Sequence, residues 1–277
     1  GASWLGNEQG GLGTMNYYWR LFATGFCFFI FGIGGIILRL FVFPVMSYFS
    51  SDVIQKQQRA RLCVHYSFFL FLELMRRTGV LRYNFDGLEK LNRPGQLIVA
   101  NHPTLIDVIL LVSRVPEANC IVKQELWNNP IMKGPVVNAG YISNGDSEKM
   151  INDCVSFLKA GGTMIIFPEG TRSVPGKEYV FTRGAARIAL EANALVTPVV
   201  INCNPSTLTK AEKWYQIPSS RVHLSMHVKD DIDISDDPLD LPAAHYGLVV
   251  SNLVMHWVND LPGLLIQLNK TLKPDGL

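Results

Sequence analysis

Charge is scarce in this chain. Of 277 residues only 17% are Asp, Glu, Lys or Arg, against 48% hydrophobic, and the mean hydropathy is positive at +0.17. Residues 21–38 carry no charge at all. That is greasy for a soluble domain. The five cysteines, Cys27, Cys63, Cys120, Cys154 and Cys203, form no CxxC pair or other metal-ligand spacing, so no metal site is expected. They read as small buried hydrophobes in a reducing compartment. A G-x-S-x-G nucleophile elbow is missing, which argues against a serine hydrolase. There is no internal repeat. The net charge is only +2, and nothing calls for a nucleic-acid partner. The length suits one sizeable core, and is short for two enzyme domains plus a membrane anchor.

What charge there is falls unevenly. Up to Arg82 eight basic residues face three acids, and the remainder holds 17 basic against 20 acidic. A basic, apolar N-terminal part suits an anionic membrane surface. Residues 1–14 are Gly-rich and patternless, and read as an appended scar or a disordered tail. The uncharged run 21–38 meets the lower limit for a spanning helix, with Pro44 expected to kink or end it. Gln55 to Arg82 is a second helical stretch with basic ends and an apolar centre. Residues 15–80 are therefore expected to form a two-helix membrane motif, embedded in one leaflet rather than spanning.

From residue 81 to 277 the texture is that of an α/β domain. Short apolar runs at 81–86, 96–100, 119–122, 140–143, 163–167, 196–201 and 221–228 read as strands. Helical patterns lie between them. Residues 147–160 put Met150, Ile151, Cys154, Val155 and Leu158 on one face before Gly161-Gly162, and 183–193 form another helix. The alternation predicts a mostly parallel central sheet flanked by helices, with a site at the C-terminal ends of strands. Six aspartates within 229–240 read as an exposed loop.

Two motifs follow such strands. The first is Asn101-His102-Pro103-Thr104-Leu105-Ile106-Asp107. Histidine and carboxylate can serve as base and orienting group. Five residues along a helix would separate them by about 140°, so the chain must bend between them. Pro103 holds His102 out of helical angles, and Thr104 is the expected N-cap of a helix over 105–112, with Asp107 in its first turn. A capping carboxylate beside a core histidine is the plainer alternative. The second motif is Phe167-Pro168-Glu169-Gly170-Thr171-Arg172-Ser173. Gly170 permits a tight turn. Glu169 and Arg172 either pair with each other, or Arg172 binds a phosphate or carboxylate while Glu169 holds a hydroxyl or a neighbouring arginine.

Together these residues resemble the glycerolipid acyltransferases of the 1-acylglycerol-3-phosphate acyltransferase type. The resemblance runs from Phe85 to Ile201 and includes Val122-Lys123-Gln124-Glu125-Leu126, Phe181-Thr182-Arg183-Gly184-Ala185 and Val196-Thr197-Pro198-Val199. It implies that His102 deprotonates an acceptor hydroxyl, that Asp107 orients it, and that the oxygen attacks the thioester of acyl-CoA or acyl carrier protein. Glu169, Gly170, Thr171 and Arg172 would bind a membrane lipid acceptor. No metal or organic cofactor is implied. The implied location is the inner leaflet of a bacterial inner membrane, with the active site facing the cytoplasm.

One position departs from the pattern. In the segment Gly140 to Asp146, Asp146 stands where the family has an arginine that holds the acceptor phosphate. Lys123, Lys133 and Arg183 are candidate replacements. Otherwise the acceptor is less anionic: a zwitterionic lysolipid, an amino-acid lipid precursor, or an aryl-polyene type of lipid. A non-catalytic lipid-binding protein and a thioesterase-like hydrolase are the competing functions.

Overall fold

A computed structural model describes residues 5–49, 52–173, 182–210 and 212–232, with side chains from residue 15 onward. In chain order its helices and strands are α1 (Leu5–Ile37), α2 (Phe43–Tyr48), α3 (Val53–Arg77), β1 (Leu81–Asp86), β2 (Gln96–Ala100), α4 (Asp107–Val112), β3 (Asn119–Val122), α5 (Lys133–Asn138), β4 (Ile142–Ser143), α6 (Ser147–Lys159), β5 (Met164–Ile166), α7 (Gly184–Ala192), β6 (Leu195–Asn204) and β7 (Val222–Val228). The seven strands form one sheet in the order β1-β7-β6-β2-β5-β3-β4. Every pairing is parallel except β6 with β7. The mostly parallel sheet expected from the apolar runs is observed.

The side chains of β2 alternate between two cores. Leu97 points to the layer of α6 and α7, where it meets Ile151, Cys154, Met164 and Ile188. Ile98 and Ala100 point the other way, to Leu110, Ile165, Ile201 and the N-terminal helices. A strand buried on both faces needs an unbroken apolar run, which QLIVA supplies. In β7 only Val222, Leu224, Met226 and Val228 are buried, so that strand has one covered face.

The N-terminal helices share the first core. Ala60, Val64, Phe68, Phe71 and Met75 of α3 recur every three or four residues and are buried. α1 presents Arg20, Ala23, Thr24 and Cys27 to the domain and leaves Phe22, Phe26 and Phe29 exposed.

Pro44, which is expected to kink or end the first helix, is preceded by a break in its α geometry. A π turn over Leu38–Val42 precedes α2, and Pro44 lies in the first turn of the resumed α segment, where a missing N–H is tolerated. Asp230 and Asp231 lie in an exposed loop, as the sequence suggests, and both are paired there. Asp230 pairs with Lys90 at 2.7 Å, and Asp231 takes both guanidinium nitrogens of Arg93 at 2.6 Å. The aspartates from 233 onward lie outside the described residues. Backbone helix also begins at Leu5, within the stretch read as a tail, whose residues 1–4 lie outside the description.

Candidate active site

β2 and β5 are neighbours in the sheet, so their C-terminal ends bring the two motifs together. Asn101 anchors the first. Its side-chain amide donates to the Ile201 carbonyl at 2.8 Å and accepts from the Ile201 amide at 2.7 Å, which prolongs the ladder with β6. Beyond it the chain bends as Pro103 requires, and α4 starts at Asp107. Thr104 is not the hydroxyl cap expected. Its backbone N–H donates to Asp107 Oδ2 at 2.7 Å, while its buried Oγ1 has no partner among the described residues. The cap runs backwards, from carboxylate to loop.

That same Oδ2 accepts from His102 Nδ1 at 3.0 Å. Asp107 is fully buried, and the His102 side chain is 15% exposed. Burial pushes the Asp107 carboxyl up to about 6, against the lowering effect of the His102 and Thr104 hydrogen bonds. With Nδ1–H directed at the carboxylate, Nε2 is the ring nitrogen left to accept a proton. Phe167 lies beside the imidazole, with ring centroids 4.5 Å apart.

The second motif turns at once. Gly170 N–H donates to Phe167 C=O at 3.0 Å, and Gly170 has φ +64, a left-handed conformation that favours glycine. Glu169 then bridges the two motifs. Its Oε1 accepts from the His102 backbone N–H at 2.9 Å, and its Oε2 accepts from Ser173 Oγ at 2.7 Å. Ser173 N–H closes the junction on the His102 carbonyl at 2.7 Å. Neither the Glu169–Arg172 pair nor a contact from Glu169 to another arginine is made among the described residues. Arg172 instead donates from Nη1 to the carbonyls of Leu208 and Thr209, at 2.8 and 2.9 Å.

The structure thus gathers His102, Asp107, Glu169, Gly170, Thr171 and Arg172 at two adjacent strand ends. Lys123, just past β3, and Arg183, just before α7, are exposed and form no ion pair or side-chain hydrogen bond among the described residues. Lys133 opens α5. Phe181, two residues before Arg183, lies outside the described residues. Asp146 N-caps α6, its carboxylate accepting from the Lys149 N–H at 3.0 Å. Sequence reasoning missed Asn101 and Ser173 as positioning groups, although both stand within the motifs. It had no signal for Leu208, whose carbonyl also accepts from the Leu105 N–H at 3.2 Å.

A histidine held by a buried carboxylate suits proton abstraction from a hydroxyl. A family model described as Acyltransferase matches residues 82–202. A 1-acyl-sn-glycerol-3-phosphate acyltransferase from Helicobacter pylori is 30% identical over 173 residues, covering 60% of this chain and 68% of the relative. One from Pseudomonas aeruginosa is 25% identical over 171 residues, covering 58% and 65%. The crystal structure of the 1-acyl-sn-glycerophosphate acyltransferase PlsC from Thermotoga maritima shares the fold, with a TM-score of 0.59 at 21% identity over 80% of this chain and 89% of that one.

Proposed function

The chain belongs to the 1-acyl-sn-glycerol-3-phosphate acyltransferase family and is an acyltransferase, and on that premise we propose how it works. His102 Nε2 takes the proton of a lysophospholipid hydroxyl as the oxygen attacks the thioester carbonyl of acyl-CoA or acyl carrier protein. The C–S bond breaks, the ester forms, and the imidazolium returns its proton to the leaving thiolate. Asp107 holds the tautomer and stabilises the imidazolium. The observation that carries this reading is the 3.0 Å contact between His102 Nδ1 and a fully buried Asp107 at the end of β2. No acyl-enzyme is required.

Glu169 and Ser173 act through the His102 backbone and are positioning residues in this reading. Arg172, with Nη1 engaged, offers its remaining N–H groups to the acceptor headgroup. Gly170 and Thr171 line the approach, and Lys123, Lys133 and Arg183 are the cations available to stand in for the family arginine at 146. The experiment is acylation of lysophosphatidic acid in vitro, with both donor types offered. Abolition in His102→Ala with retained lipid binding supports catalysis, and unchanged acylation would leave the non-catalytic lipid-binding reading. Thioester loss without acceptor would mark a hydrolase.

Asp146 favours a second reading of the acceptor. Its carboxylate is held at the start of α6, where a phosphate-binding arginine is absent. A zwitterionic or uncharged headgroup then competes with lysophosphatidic acid. Much faster acylation of lysophosphatidic acid than of any such lipid would remove this reading.

The enzyme seats on the cytoplasmic leaflet of a bacterial membrane through α1 to α3. The helix from Met15 to Tyr48 is long and apolar enough to cross a bilayer. Its contacts support a leaflet-embedded placement. Arg20 is bonded to residues 218–220 of the domain, and Arg39 Nη1 to the Pro130 carbonyl at 2.8 Å. Those two residues lie about 28 Å apart along a helix, close to the whole hydrocarbon thickness of about 30 Å. A transverse α1 would drag the α/β domain into the hydrocarbon.

A further inference from the structure

The described part of the segment between β6 and β7 bonds the site near the β6 end and α1 near the β7 end. At its start, Leu208 adopts φ +53, an uncommon conformation for a branched residue. Its carbonyl joins the first motif, through the Leu105 N–H, to the second, through Arg172. At its end, the carbonyls of Pro218 and Ser220 accept from Arg20 Nη1 at 2.9 Å, and that of Ser219 accepts from Nη2. Arg20 is a buried residue of α1 that reaches almost 200 residues along the chain for these partners.

Between the two ends the segment raises Trp214 and Tyr215, 48% and 46% exposed. Their rings meet edge to face at 5.7 Å, and Lys213 Nζ lies 5.8 Å over the tyrosine ring. Trp214 packs against α1. A Cβ placed on Gly25 would come within 3.2 Å of its ring, and the Phe28 ring is 6.5 Å away. On α1 the neighbouring Phe22 and Phe26 are exposed. The loop aromatics and the outer face of α1 are therefore one apolar surface.

We propose that Trp214 and Tyr215, with Lys213, are a second bilayer contact, on the α/β domain itself. The inference rests on the reading of α1 as leaflet-embedded. The occupant is a lipid surface. Amphipathic rings with a lysine alongside match the headgroup region, where ring bodies face acyl chains and polar tips face water and phosphate. Continuity with a helix of membrane-seeking length favours lipid over a protein partner.

Two full-length single-tryptophan chains test the contact. One keeps Trp214 and the other Trp19, with the remaining tryptophans replaced by phenylalanine, in vesicles of neutral and anionic phospholipid. Bromine atoms high on the acyl chains are expected to quench both, and aqueous iodide to reach neither. Quenching of Trp19 with Trp214 still open to iodide overturns this proposal and leaves α1 seated. Loss of quenching in both overturns the membrane reading as well. In a second arm, Trp214→Ala/Tyr215→Ala is expected to lower acylation of a vesicle-embedded acceptor about tenfold or more. Acylation of a short-chain acceptor below its aggregation concentration should stay within about twofold. An equal loss on both acceptors assigns the aromatics to holding Arg172 alone, and a loss confined to acyl carrier protein as donor assigns them to a protein dock. Either result overturns the proposal.

Discussion

At the centre of the sheet, Leu97, Ile98, Met164 and Ile165 have no exposed surface, and the loops that follow β2 and β5 are joined by Glu169 and Ser173. At the far edge, β4 is two residues long and borders an open cleft of about 760 Å³ lined by Gln57, Gln124, Ser143, Asp146 and Phe157. Three strand positions separate the edge from β2, roughly 14 Å at the usual spacing. His102 and Asp107 stand where neighbours on both sides fix the backbone. The departure from the family pattern, Asp146, stands where little constrains it. The proposed chemistry, which tolerates little displacement, falls in the packed centre, and the departure from the family pattern falls at the edge.

Substitutions can break that contrast, and the largest loss belongs to the centre. His102→Ala should lower kcat by about 10²–10⁴ with little change in thermal stability. Kinetics of a purified, folded variant check it. Asp107→Asn should also cost about 10² or more, and it should alter the pH profile. The wild-type carboxyl, pushed up to about 6 by burial, must be ionised to support the imidazolium, so activity should fall below about pH 6 and the variant should lose that limb. The same shift has a stability sign. Because the folded pKa lies above the ordinary carboxylate value, the native state holds the extra proton between about pH 4 and 6. Stability should therefore decline across that window and level off above it, and Asp107→Asn should flatten the decline in denaturant titrations.

Glu169→Ala tests whether the two loops act as one unit. It removes a carboxylate that accepts from the His102 backbone and from Ser173, and should cost about 1.5–3 kcal/mol of stability together with a fall in kcat. A rise in KM alone would place Glu169 on the acceptor instead. At the edge, Asp146→Ala should cost about 1 kcal/mol through the lost helix cap and leave kcat nearly unchanged. Asp146→Arg sharpens the contrast. A gain for lysophosphatidic acid over zwitterionic acceptors would show that the edge tunes headgroup choice.

Much of this protein was readable before folding. The seven apolar runs became seven strands, because strand-length runs bounded by turn residues are local signals. His102 and Asp107 were readable as a pair, because Pro103 bends the four-residue stretch between them. The exposed apolar side of α1 follows from an uncharged stretch. Tertiary structure decided the rest. It turned Glu169 toward the His102 backbone and away from Arg172, assigned Arg172 to carbonyls 36 and 37 residues away, paired Asp230 and Asp231 with Lys90 and Arg93, and laid α1 and the π turn after it along the domain between Arg20 and Arg39. Periodicity and capping residues act over a few positions along the chain. Which donors and acceptors meet across it depends on the order in which the strands pack.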